Sequence, residues 1–191
     1  MCWSAKVSLQ TFLFGCISAL IVYNLGYENK GLILIVLSFS LMQLLEYFIW
    51  IYIKDRKINE LLSKIGLFII GFQIFLLCLL NKNKYLLYIY FLFGLLFILL
   101  ELNNVKFKTD VGENGHLRWL WLDLPLFWII IFTSFYLITN TQTKFRFLFV
   151  LITLIISLYY YYKYKTWGSM WCYFSNLLWI YLIIYSFLNY K

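Results

Sequence analysis

Seven apolar runs follow one another along this chain at lengths that match or approach the roughly 30 Å of a bilayer's hydrocarbon, and nothing else in the sequence restricts its fold so tightly. They cover residues 7–25, 31–53, 58–80, 85–102, 122–139, 145–162 and 167–190. Hydrocarbon offers no partner to a backbone N–H or C=O, so a crossing segment must satisfy its own, and runs of this length do so as α-helices. The expected fold is all-α, a membrane-embedded bundle of seven transmembrane helices forming one domain over residues 1–191. Seven spans of about 20 residues use about 140, and the remaining 50 or so are too few for a soluble catalytic domain. Composition agrees, with 64% apolar, 23% aromatic and 13% charged residues and a mean hydropathy of +0.82.

Charge sets the expected orientation. With seven spans, Lys6, Lys54, Arg56, Lys57, Lys64, Lys106, Lys108, Arg118, Lys163 and Lys165 fall on the face that carries the N-terminus, the N-side, against Lys30, Lys82, Lys84, Lys144, Arg146 and Lys191 on the other. Ten against six favours a cytoplasmic N-terminus, because Lys and Arg in short loops are retained there. The net charge of +8 does not indicate nucleic acid, since the cations are scattered between apolar runs. The tract from Tyr159 to Lys165 interleaves Tyr and Lys as headgroup-layer anchors do. The first run reads as a retained span, with no convincing cleavage site after it.

Two connections carry further expectations. Residues 54–57 form the charged turn before the third helix, and 59–64 read as an amphipathic turn at the membrane surface. The longest connection, 103–121, suits two readings. Alternation in Val105–Thr109 and His116–Trp119 around a turn-rich centre suits a hairpin lying over the bilayer, and His116–Trp121 equally suits the interfacial start of the fifth helix, with Pro125 in its first turns.

Polar side chains inside apolar runs are the candidates for function, since an intramembrane carboxylate is costly to insert. Glu46 is the clearest, and Gln43, Glu46 and Trp50 follow at i, i+3 and i+7 on one helix face. In the seventh run Gly168, Cys172, Ser175, Asn176, Trp179 and Ser186 recur along one stripe of small and hydrogen-bonding residues, as helix contacts in lipid do. Cys2, Trp3, Glu101, His116, Trp119, Trp121, Asp123, Trp167, Ser169 and Trp171 gather at the N-side with Glu46. This asymmetry predicts a polar pocket walled by aromatics and open to the N-side. Gln43, Glu46, Trp50, His116, Trp119, Trp171, Cys172 and Asn176 are its expected ligand-binding residues, with Gln43 and Asn176 hydrogen-bonding Glu46. A bound small molecule or lipid, in a receptor-like or transporter-like role, fits such a site, and the bilayer is the other partner.

The alternatives are a structural membrane protein with no ligand and other chemistries at the same residues. An intramembrane enzyme would use Cys172 as nucleophile, His116 as base and Glu46 as acid, with Asp123 or Asn176 orienting the histidine. A metal held by Cys2, His116, Cys172 and Glu46 lacks any ligand spacing, so no metal residues are assigned. One histidine is too few for the seven-helix zinc hydrolases, and the last helix offers only the terminal Lys191 where retinal proteins need a lysine within the helix. Cys2 and Cys172 would form a disulfide only where the N-side faces an oxidising compartment.

Met1-Cys2-Trp3-Ser4, Gln43-x-x-Glu46 with Trp50, Gly115-His116-Leu117-x-Trp119 and Gly168-Ser169-x-Trp171-Cys172 together resemble a family of multi-pass membrane proteins of large DNA viruses and some protists. The resemblance spans most of the chain and implies a viral or protist membrane protein. It transfers no catalytic residue, cofactor or ligand.

Overall fold

The computed structural model describes residues 4–27, 29–81, 83–139 and 144–189. Cys2, Trp3, Lys82 and Lys191, to which the sequence reading assigns roles, lie outside them. The chain folds as an all-α bundle with one small hairpin. Its helices are α1 (Ala5–Asn24), α2 (Lys30–Ile51), α3 (Arg56–Leu79), α4 (Tyr85–Leu100), α5 (Leu126–Thr139), α6 (Lys144–Tyr161), α7 (Trp167–Ser175) and α8 (Leu178–Leu188). The last two continue one apolar rod, Trp167–Leu188, so the rods match the seven predicted runs.

Helix starts are set by side chains that satisfy the first backbone N–H groups. Ser4 accepts from the Val7 N–H at 3.3 Å, Asn29 from Leu32 at 3.0 Å and Asp55 from Ile58 at 3.0 Å. The fifth helix begins at Leu126 rather than at residue 122. Proline disfavours the α conformation in the residue before it, so Leu120–Leu122 stops as a single 3-10 turn and Pro125 stands immediately outside the helix. Its carbonyl accepts from the Trp128 N–H at 2.9 Å.

Five rods are long and apolar enough to cross a membrane: α1, α2, α3, α6 and the combined α7–α8. At about 1.5 Å per residue, α4 and α5 reach only about 24 and 21 Å. They are the two that flank the hairpin. The outside of the bundle is apolar, with Leu20, Phe68, Tyr88, Leu99 and Leu188 all more than 60% exposed. Its interior holds Ser40, Gln43, Glu46, Ser63 and Gln73 almost fully buried. This is the inverse of a water-soluble protein, and it suits a lipid surround.

The hairpin pairs β1 (Thr109–Val111) antiparallel with β2 (Leu117–Trp119), Thr109 opposite Trp119 and Val111 opposite Leu117. Gly115 takes φ +77° in its turn, a conformation that a residue with a Cβ resists. It does not lie over the bundle. Thr109, Leu117, Trp119 and Trp121 are at most 2% exposed, so the hairpin is folded into the end of the bundle. Non-helical backbone at such depth requires partners from the protein. Asn59 supplies them, donating from Nδ2 to the Thr109 carbonyl at 2.9 Å and accepting the Thr109 N–H on Oδ1 at 2.8 Å. Ser63 lies 3.0 Å from the Thr109 hydroxyl, which also accepts from Trp121 Nε1 at 3.3 Å. The expected amphipathic turn over 59–64 is the second turn of α3, and its polar side is divided, Asn59 and Ser63 facing inward while the Glu60–Lys64 pair, 2.7 Å apart, and Leu61 face out.

Small residues make room for this insertion. A Cβ on Gly66 would stand 2.8 Å from the Trp121 ring, and one on Gly168 would overlap Leu122 and press on Trp119. Trp119 and Trp121 stack with centroids 4.9 Å apart, wedged between α3 and α7. The far side of the hairpin is tied to the α6–α7 connection by Asn114 to Thr166 at 2.9 Å and by Lys165 to Asp123 at 2.6 Å. Arg118 grips Asp110 through two bonds of 2.7 and 2.8 Å across the strands.

Asn59→Ala strands the Thr109 peptide in a buried site, so the fold should lose about 2 to 4 kcal/mol. Thermal unfolding followed by tryptophan fluorescence measures it. Asn104→Ala, on an exposed side chain, should leave the transition unchanged.

Candidate functional site

On α2, Gln43 and Glu46 project into the bundle with no exposed surface. Helical spacing sets both, with Trp50, on one face, as the sequence predicts. That face meets α7, where the Ser169 hydroxyl donates to Glu46 Oε1 at 2.7 Å. Gln43 is different. Among the described residues neither its amide oxygen nor its amide nitrogen has a hydrogen-bond partner, and the Trp50 and Trp119 indole nitrogens are likewise buried without one. Trp119 reaches this region through its contact with Gly168, the residue before Ser169.

Asn176 does not hydrogen-bond Glu46. It accepts from Ser40 Oγ at 2.8 Å, and Ser40 in turn accepts from Trp179 Nε1 at 3.0 Å, a satisfied triad on the next turns of α2. Asn176 and Ser169 are seven residues apart, so the rise of the helix puts them at different depths. The triad sits in a close crossing of α1 and α2, where a Cβ on Gly15 would overlap Ser40. Asn176 also explains the break between α7 and α8. There Asn176 and Leu177 bond to carbonyls three residues back, and the Asn176 side chain takes the Cys172 carbonyl at 2.9 Å.

The single pocket expected from the sequence is in fact two regions separated by α7. Ser169 and Asn176 face α2 and the polar layer. Gly168, Trp171 and Ser175, at i, i+3 and i+7, face a cavity bounded by α3, α5 and the hairpin. Trp119, Tyr136, Phe132, Trp167 and Ile70 give that cavity an almost wholly apolar lining, and the centre of a water-sized sphere has about 40 Å³ to move in. Cys172 lines it too, so of the eight predicted residues Trp119, Trp171 and Cys172 border the cavity. Trp171 is held by its indole N–H on Thr153 at 3.3 Å and by Tyr136 edge-on at 5.0 Å. Gln73 braces the cavity floor, donating to the Ser38 carbonyl at 3.0 Å and accepting from Tyr136 at 2.9 Å. Nor is the site open to the N-side among the described residues, because the hairpin covers that end of α7.

The Cys172–His116 arrangement does not form. No hydrogen bond joins the two, and His116 lies in the hairpin turn with its ring edge-on to Tyr161 at 5.5 Å. Asp123 is occupied by Lys165 and Asn176 by Ser40, so neither orients the imidazole. Among the described residues Cys16, Cys78 and Cys172 are free thiols, and no three His, Cys, Asp or Glu side chains converge as metal ligands.

Sequence reasoning missed the Asn59–Ser63–Gly66 stripe as the hairpin's seat. Its spacing of i, i+4 and i+7 was the available signal, a continuous polar and small face on α3. Compared with protein families, curated proteins and solved structures, the chain finds no match.

Burial holds the His116 imidazole down to about pKa 4, against an ordinary 6.5. Between those values the unfolded chain binds a proton that the folded chain refuses, so stability is full above pH 6.5 and falls as pH drops towards 4. Unfolding temperatures across this range should show the decline, and His116→Phe should flatten it.

Proposed function

We propose that all seven helices cross the bilayer, with the N-terminus cytoplasmic, and that the protein binds a small hydrogen-bonding molecule or the polar part of a lipid at Gln43 and Glu46. The observation that carries this reading is the Gln43 carboxamide, fully buried with neither end bonded. Leaving a buried polar group unsatisfied costs about 1 to 3 kcal/mol, and although the Ser8, Ser157 and Ser186 hydroxyls are also unbonded among the described residues, the other buried carboxamides Asn59, Gln73 and Asn176 are bonded at both ends. An occupant that presents both a donor and an acceptor removes the cost. The Trp50 indole N–H, on the same face of α2, is a further buried donor without a partner among the described residues. The role is receptor-like or transporter-like binding.

Affiliation with the viral and protist membrane family is part of the same proposal. It rests on the sequence motifs alone, whose residues Gln43, Glu46, Trp119, Ser169 and Cys172 are all buried.

Native mass spectrometry of the protein, wild type beside Gln43→Leu, tests the binding. A species of constant mass is expected on the wild type and should fall at least about tenfold on the variant, matching the loss of one or two hydrogen bonds. If nothing specific is bound and Gln43→Leu only raises stability, by about 1 to 3 kcal/mol, the amide is a tolerated defect and the proposal fails.

A further inference from the structure

Where α2 turns into α3, the chain builds a second candidate site unrelated to Gln43. A cleft of about 680 Å³ lies between this turn and residues 105–108, and Lys54, Arg56, Lys106 and Lys108 line it. Glu60 is the one acid in the lining, and its carboxylate is occupied by Lys64 at 2.7 Å. Asp55 is committed too, capping α3 through the Ile58 N–H at 3.0 Å. None of the four cations is ion-paired among the described residues. Both walls are fixed. The Asn59–Thr109 bonds hold one to the other, and the Lys108 carbonyl accepts from the Leu120 N–H at 3.0 Å.

Four cations against the single acid Glu60 leave the lining positively charged, which favours an anion between them. The neighbouring cleft, of about 490 Å³, shares Lys106 but adds only one further cation, Lys165, which is already joined to Asp123. We infer that the cleft of Lys54, Arg56, Lys106 and Lys108 binds the phosphate headgroup of an anionic lipid. Phosphate-ester oxygens are the shared chemistry of a lipid and a free phosphate, and the surroundings select the lipid. Ile53, Val105 and Phe107 give the cleft an apolar wall, and Ile51 and Leu61, close in sequence to lining residues, are at least half exposed and free to meet acyl chains. Basic clefts at helix ends on the cytoplasmic face hold such headgroups.

The full-length protein in phosphatidylcholine nanodiscs, doped with phosphatidylglycerol and released for native mass spectrometry, gives the test. The wild type should retain phosphatidylglycerol over phosphatidylcholine by at least about tenfold. Lys54→Gln/Arg56→Gln/Lys106→Gln/Lys108→Gln should abolish that preference, Lys106→Glu alone should weaken it, and Lys144→Gln/Arg146→Gln at the opposite end should keep it. Lys106→Glu carries the test if the quadruple variant does not fold. A preference that survives both cleft variants, or falls equally in the Lys144/Arg146 pair, overturns the site. Displacement of the lipid by millimolar inorganic phosphate would make it a soluble-anion site and overturn the assignment to lipid.

Discussion

The Asn59 carboxamide against the Thr109 peptide is the interaction on which the N-side half of this bundle depends. A hairpin has edges, and an edge inside an apolar bundle is a row of unsatisfied donors and acceptors. By bonding both backbone groups of one residue, a single helix side chain acts as a neighbouring strand at the place where β1 enters. With β1 fixed, the register places Trp119 opposite Thr109, and the chain beyond it places Trp121 in the notch that Gly66 leaves. Trp119 then rests on Gly168, and the start of α7 is set against α2, where Ser169 meets Glu46.

The same constraint orders the polar residues deeper in the bundle. Ser40 with Asn176 and Trp179, Gln73 with Tyr136 and Ser38, and Thr153 with Trp171 are small closed sets that join helices where hydrophobic contrast with lipid is absent. Each ties one helix to another. Gln43 belongs to none of them, although it stands on the same helix between Ser40 and Glu46. That contrast, rather than burial alone, separates the proposed binding residue from those that only hold the helices together.

Much of this was legible because helices in an apolar chain are local objects. Run lengths fixed the rods to within a few residues, and the capping residues Asn29 and Asp55 stand where the helices start. Glu46 was found by its cost in hydrocarbon and is buried as that cost requires. What escaped the sequence was long-range pairing. Asn59 and Thr109 are 50 residues apart, and nothing local to either marks the other. Asn176 was given to Glu46 because both were polar and near in projected depth, but seven residues of helix separate it from Ser169, and Ser40 is the side chain at its level. One pocket became two regions for a related reason. Spacing shows which residues share a face of α7, yet which neighbour each face meets is decided by the packing of α2, α3 and α5.

The central claim is that a bound group completes the Gln43 amide, and density at that side chain tests it most directly. An experimental structure of the protein purified in its native lipid, with nothing added, should show non-water density within hydrogen-bond distance of Gln43 Oε1 or Nε2 and extending towards Glu46. An amide that rests on ordered water alone, or turns to bond its own chain, would contradict the claim and leave Gln43 a structural residue like Gln73.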